Sequence, residues 1–382
     1  MTRLFIVGAK RTPQGRLLGA LAKWPATDLA RDAGREILKT IDPQDIDQVI
    51  VGNVISAGQG MNIARQVGVG LGIPLERPAY TINMMCASGM QAVIVAGQAI
   101  LAGEANAILC GGTESMSRAP YLLDRARGGY KLGDGVLMDS ILRDGLTDTF
   151  SGKHMALTVE SLAEKYSIDR VAQDTFALQS QQKYAAAQAK NVFQDEIVAV
   201  ENVKQDEHPR PDVTMEKLST MKPAFKPQGA ITPGNASGVN DGAAMLVVCN
   251  EAMLARKGWK PLARIAGWST VGCDPAQMGL GPVFATRALC RRAGVAIDDF
   301  EAIELNEAFA AQALACIREL DLKADRVNPN GGAIALGHPI GASGARLLVH
   351  LAHRIARREI GKALATLCVG GGMGSAVMLE KA

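Results

Sequence analysis

Short apolar runs alternate along this chain with stretches whose apolar residues recur at helical spacing. Leu4–Gly8, Asp47–Gly52 (DQVIVG) and Ala107–Cys110 (AILC) read as strands. Asp28–Leu38 reads as a helix, and Ala79–Asn83 leads through a turn into a second helix from about Ser88 to Ala102. Strands alternating with helices predict an α/β layered fold.

The pattern then repeats. Residues 26–56 run through a helix, an acidic turn containing Ile-Asp, a strand and a polar loop, and residues 282–310 do the same. Residues 86–112 (CASGMQAVIVAGQAILAGEANAILCGG) and 341–371 (GASGARLLVHLAHRIARREIGKALATLCVGG) both pass from Ala-Ser-Gly through a helix to a strand ending in Leu-Cys before a glycine turn. The repeat predicts a duplicated domain, with Cys110 opposite Cys368. Between the halves, from about Arg118 to Gly238, the texture changes. This stretch holds a glycine-rich cluster, a polar helical stretch over Val159–Lys190 and a Pro- and charge-rich segment. It is too long for a plain loop and reads as an inserted subdomain over a site.

Composition narrows the function. Lys+Arg 41 against Asp+Glu 38 is too balanced for general polyanion binding, and 4% aromatics leaves no stacking surface, so nucleic acid is not an expected partner. The seven cysteines include no CxxC pair, which removes zinc and thioredoxin-like readings; no metal is expected. A reducing, cytoplasmic location fits best. The apolar stretch Met84–Gly103 contains Cys86, Ser88, Gln91 and Gln98 and stops at Glu104, so it reads as a buried helix and not a membrane span. The first residues carry no secretory apolar region.

Four places could carry chemistry. Cys86 sits between a strand and a helix start, a position that lowers a thiol's pKa and makes the nucleophilic thiolate accessible, though a cysteine in an apolar run can equally be inert core. His338 lies in a glycine-dense loop, NPNGGAIALGHPIGASGARLL, that opens a helix and could hold a proton-transfer group. Cys368 precedes Gly370, Gly371 and Gly372, whose amides could cradle an anion. Asn306 and Glu307 stand at a strand-to-helix turn, where Asn can also be a cap.

Taken together, INMMCASGMQA, GKHMALTVE, GNASGVNDGAAML, NEAFAAQ, the His338 loop and LCVGGGMG resemble the thiolase family, in family order and across essentially the whole chain. The resemblance implies two α/β halves, each a five-stranded mixed sheet between helices, stacked in five layers (αβαβα) with an inserted loop domain that binds coenzyme A. The halves would be residues 1–118 plus 239–261 and 262–382, and the insert 119–238. It implies Cys86 as the acylated nucleophile, His338 as its activator and Cys368 as the carrier of the α-proton. Asn306 would hold a water that completes one oxyanion hole with His338; the amides of Cys86 and Gly370 would form the other. His154, Met155, Met278 and Phe309 resemble the acyl pocket of short-chain, acetoacetyl-CoA-type members. Arg210 and Ser237 are carried over as coenzyme A contacts.

The reaction so implied joins two acetyl-CoA into acetoacetyl-CoA and coenzyme A, with coenzyme A as substrate and product and no cofactor. The partners expected are acetyl-CoA and short-chain acyl-CoA. The alternatives are a broader-range 3-ketoacyl-CoA thiolase, including one for 3-oxoadipyl-CoA, and a non-catalytic CoA-binding scaffold subunit. The hairpin-like segment near Tyr121–Ser140 suggests a homotetramer.

Overall fold

Two runs of extended segments pair in the same spatial order. The computed structural model describes residues 2–382. In the first half, β1 (Leu4–Arg11), β2 (Gln48–Gly52), β3 (Ala79–Ile82), β4 (Ala107–Ser115) and β5 (Asn240–Asn250) are ordered β3-β2-β4-β5-β1. β2 is parallel to β3 and β4, and β5 is antiparallel to β4 and β1. The second half repeats this with β6 (Ala263–Gly272), β7 (Ala302–Leu305), β8 (Lys362–Val369) and β9 (Met373–Glu380), ordered β7-β8-β9-β6. Here β7–β8 is parallel, and β8–β9 and β9–β6 are antiparallel. The place of β3 is taken by a single parallel bridge between Ile303 and Val327. The duplication is therefore written in topology as well as sequence. One expectation changes: the two sheets are not separate, because β1 and β6 pair antiparallel over Leu4–Ile265, Phe5–Arg264 and Ile6–Ala263.

Successive strand residues point to opposite faces, and this alternation sorts the core into layers. On β4, Ile108 and Cys110 face a central core shared with α3 (Ser88–Leu101) and α8 (Ile340–Ala356). Leu109, between them, faces α1 (Ala26–Ile37) and α2 (Ile63–Gly70). On β8, Ala363, Ala365 and Leu367 face the central core. Leu364 and Cys368 face the opposite side, with α6 (Gly281–Ala293) and α7 (Ala310–Glu319). Five αβαβα layers result, and because both sheet faces are covered the strands read as nearly continuous apolar runs. Cys110 and Cys368 thus lie on opposite faces of their sheets, so pairing them by sequence is wrong in register. The cause is that Gly111-Gly112 is not a turn: β4 continues to Ser115, and a Cβ would sit 2.2 Å from Ala244 O at Gly111 and 2.0 Å from Gly341 O at Gly112.

The central helices meet at their N-terminal ends. A Cβ on Gly89 would lie 2.9 Å from Ala345 Cβ, and one on Gly344 would lie 2.7 Å from Met90 Cβ, so both glycines are needed for this approach. It brings the turn before α3 next to the loop before α8. The Met84–Gly103 stretch forms the buried α3, and among the described residues no helix is long and apolar enough to cross a membrane.

Between β4 and β5 run a hairpin, Tyr121–Leu123 with Leu137–Asp139, a π-helical turn at Ile141–Leu146, two long helices and a short one at Met215–Ser219. The polar stretch expected as one helix is two, α4 (Met155–Lys165) and α5 (Arg170–Ala189). Ser167 adopts φ +50°, and the Asp169 side chain accepts the Ala172 N–H at 2.7 Å, capping α5.

Candidate functional site

Cys86 stands at the end of a strained turn between β3 and α3. Met85 has φ +48°, unusual for a side chain of that size. The turn is held by short polar contacts. Asn83 Oδ1 accepts the Met85 N–H at 3.0 Å, and Ser88 Oγ accepts the Met84 N–H at 2.8 Å while donating to Met85 O at 2.6 Å. Cys86 is buried, with its sulfur toward its own backbone N–H and that of Gly370. Burial pushes the thiol up to about 11 against the pull of these two amides. The lowered pKa expected from a helix start alone is overridden, and the resting group is a thiol.

His338 occupies the corresponding loop before α8. Its N–H donates to Asn240 Oδ1 at 2.8 Å, and its ring Nδ1 lies 2.6 Å from Ser343 Oγ. Ser343 gives its own proton to Pro339 O at 2.8 Å, so its oxygen accepts and Nδ1 carries the ring proton. Nε2 is left with its lone pair, facing Asn306 Nδ2 at 3.5 Å. Burial, with the Arg346 guanidinium in support, pushes His338 down to about 4. Near neutral pH the imidazole is therefore neutral, with Nε2 free to act as a base. Asn306 is fully buried, and its Oδ1 has no protein partner.

Cys368, Gly370, Cys86 and His338 line one cavity of about 290 Å³. Burial and the nearby Cys86 sulfur hold the Cys368 thiol well above its ordinary range. Met155, Met278, Phe309, His154 and Ser237 complete the walls named from sequence, and Phe225 stacks on His154 at 4.5 Å. Nothing in the sequence pattern marks Phe225. Asn306 reaches the cavity only through His338. Arg210 is elsewhere: it lines a neighbouring cleft of about 670 Å³ with Arg16, His208 and Lys217, and Val239 lies on both. Sequence reading also missed Ser343, although its partners lie only four and five residues before it, and Asn240, whose partners the fold alone brings near. No cluster of three or more metal-ligating side chains occurs among the described residues.

Known proteins resemble this chain closely. The family description "Thiolase, N-terminal domain" matches residues 4–252, and "Thiolase, C-terminal domain" matches residues 259–381. A Chromobacterium violaceum protein named acetyl-CoA acetyltransferase is 47% identical over 387 residues, covering 98% of this chain and 99% of that one. A Staphylococcus epidermidis protein named probable acetyl-CoA acyltransferase is 46% identical over 392 residues, covering 100% of this chain and 99% of that one. Human mitochondrial 3-ketoacyl-CoA thiolase in complex with CoA superposes with a TM-score of 0.97 at 45% identity, covering 100% of this chain and 98% of that one. The Bacillus anthracis acetyl-CoA acetyltransferase structure gives a TM-score of 0.97 at 40% identity, covering 100% and 99%.

Proposed function

Because the chain belongs to the thiolase family, we propose that it joins two acetyl-CoA reversibly into acetoacetyl-CoA and coenzyme A through an acetyl-Cys86 intermediate. One observation carries this reading: two cysteine thiols and a neutral imidazole line a single buried cavity, with the Gly370 N–H directed at the Cys86 sulfur.

The protonation states give the steps an order. His338 Nε2 takes the Cys86 proton as the sulfur attacks the thioester carbonyl. The amides of Cys86 and Gly370 hold the developing oxyanion; losing one such donor typically costs ~10²–10³-fold in rate. Cys368, a resting thiol, protonates the departing coenzyme A and becomes a thiolate. That thiolate then removes the α-proton of the second acetyl-CoA. The carbanion attacks acetyl-Cys86, and the released Cys86 sulfur regains its proton from His338. Asn306 Oδ1, lacking a protein partner, suits an ordered water that joins His338 in stabilising the enolate oxygen. No metal or cofactor enters these steps.

Met155, Met278 and Phe309 restrict the acyl group to short chains, and His154 and Ser237 border the thioester. Residues 119–238, inserted between the halves 1–118 plus 239–261 and 262–382, bind coenzyme A, with Arg210 toward its phosphates. The hairpin exposes Tyr121, Leu132, Val136 and Leu137, which suits assembly of a homotetramer, and the working location is the cytoplasm. Mass spectrometry after adding acetyl-CoA tests the reading. It expects acetyl on the Cys86 peptide; acetyl on Cys368 overturns the assignment. Thiolysis should favour acetoacetyl-CoA over 3-ketohexadecanoyl-CoA, and the opposite preference overturns the short-chain reading.

A further inference from the structure

His208 has a buried ring atom with no partner in the protein. The residue is 6% exposed and lines the 670 Å³ cleft, and its buried Nε2 makes no hydrogen bond. Its other nitrogen explains what Nε2 presents. Asn240 Oδ1 accepts the His338 N–H at 2.8 Å, which fixes the amide's orientation. Asn240 Nδ2 then donates to Gly15 O at 2.8 Å and faces His208 Nδ1 at 3.2 Å. Nδ1 must accept, so Nε2 carries the proton and is a donor. Glycines make this packing possible. A Cβ on Gly238 would lie 2.2 Å from His208 Cε1, and one on Gly337 would lie 2.7 Å from Asn240 Cγ.

The cleft wants an acceptor with negative charge. Arg16, Arg210 and Lys217 line it against one carboxylate, Asp212, which already pairs with Lys217 at 2.6 Å. Burial and the two guanidiniums of Arg210 and Arg16 also push the His208 ring down to about 4, which keeps it neutral. A neutral N–H among cations suits a phosphate oxygen without adding a buried charge.

We propose that His208 Nε2–H binds a phosphate oxygen of the coenzyme A moiety, and that Asn240 is a positioning residue that sets both this donor and the backbone of His338. The proposal rests on the functional reading above and adds to it a specificity contact. It also explains why one fully buried amide side chain contacts a lining residue of each cavity, His208 of the cleft and His338 of the reacting cavity, so that both ends are registered on a single group.

The test compares two acetyl donors on the full chain: acetyl-CoA and S-acetylpantetheine, which lacks the phosphates. The readout is the concentration dependence of Cys86 acetylation. His208→Ala should raise the acetyl-CoA concentration for half-maximal rate about tenfold, the size of one charge-assisted hydrogen bond. The maximal rate and the reaction with S-acetylpantetheine should stay within twofold. His208→Gln, whose Nε2 can replace the donor, should recover most of the loss. Asn240→Ala should slow acetylation by both donors. An unchanged acetyl-CoA dependence in His208→Ala overturns the proposal, as does equal loss with both donors, which would mark a merely structural ring. Loss confined to acetyl-CoA in Asn240→Ala overturns its link to His338. If wild-type protein is acetylated by neither donor, the functional reading itself falls, a result distinct from all of these.

Discussion

The starts of α3 and α8 share the sequence Ala-Ser-Gly and put its serine to different uses. Ser88 accepts a backbone N–H, of Met84, and braces a turn that satisfies itself. Ser343 accepts the ring proton of His338 and so determines which nitrogen of that ring is basic. The turns after β2 and β7 differ in the same sense. Asn53 is fully engaged, donating to Thr113 O at 3.1 Å and Glu114 Oε1 at 2.8 Å and accepting from Ser56 at 2.9 Å. Asn306 has an orphan oxygen, and its Nδ2 faces the cavity-lining His338. Duplication supplied two equivalent constructions; closed hydrogen-bonding makes one a support, and an open valence makes the other a site.

Breaking the site should therefore cost rate, and breaking the support should cost stability. The largest effect is expected at Cys86. Cys86→Ala should abolish acetyl labelling, a loss of ~10⁴-fold or more in turnover, measured by thiolysis of acetoacetyl-CoA. Cys368→Ser should slow Cys86 labelling far less than condensation, which falls by ~10²–10⁴-fold: coenzyme A can leave as a thiolate without a proton donor, whereas the α-proton of the second acetyl-CoA needs the Cys368 thiolate as its base, and a serine hydroxyl is too weak an acid to ionise there. Equal loss of both half-reactions would remove Cys368 as a separate proton carrier.

The two asparagines sharpen the contrast directly. Asn306→Ala should lower kcat by ~10²–10³-fold with little change in urea midpoint. Asn53→Ala should instead destabilise by about 1–3 kcal/mol, since it strips a donor from the buried Glu114 carboxylate. If Asn53→Ala costs only rate, the division into site and support is wrong.

Smaller effects are expected at the cavity wall and in acid. Met155→Ala should raise thiolysis of the six-carbon substrate relative to the four-carbon one by about tenfold, the scale of one methylene in an apolar pocket. Acidification should weaken the fold. His208 and His338 ordinarily titrate near 6.5 but are pushed to about 4 when folded, so the unfolded chain takes up protons first. Their contribution is present above 6.5 and lost as pH falls towards 4. Glu114, pushed up to about 7 by burial, opposes this, because its folded carboxyl holds a proton that the unfolded one releases. Urea midpoints at pH 7 and 5 should fall with acid, and less so in His208→Gln; an equal fall in both would clear His208 of the effect.

Much of this was legible beforehand because it is local. Alternating runs gave the layers, and the repeated helix–turn–strand order gave the duplication that the matching strand order bears out. What escaped depended on contacts between distant residues. Register across a sheet decided that Cys110 faces away from the side Cys368 faces. Depth of burial reversed the expected acidity of Cys86. The His208–Asn240–His338 chain joins an insert loop, a strand and a helix start, and no periodicity records it.

One feature of the sheet bears on how the chain is made. β5 lies between β4 and β1, yet it begins at Asn240, 125 residues after β4 ends at Ser115. At synthesis rates of ~5–20 residues per second, roughly 6–25 seconds pass with both neighbours already outside the ribosome and the strand between them missing. During that interval β1 and β4 offer unpaired edges to other nascent chains. The insertion between the halves thus sets the length of a window in which these edges stay unpaired, and in which the nascent chain is most open to aggregation.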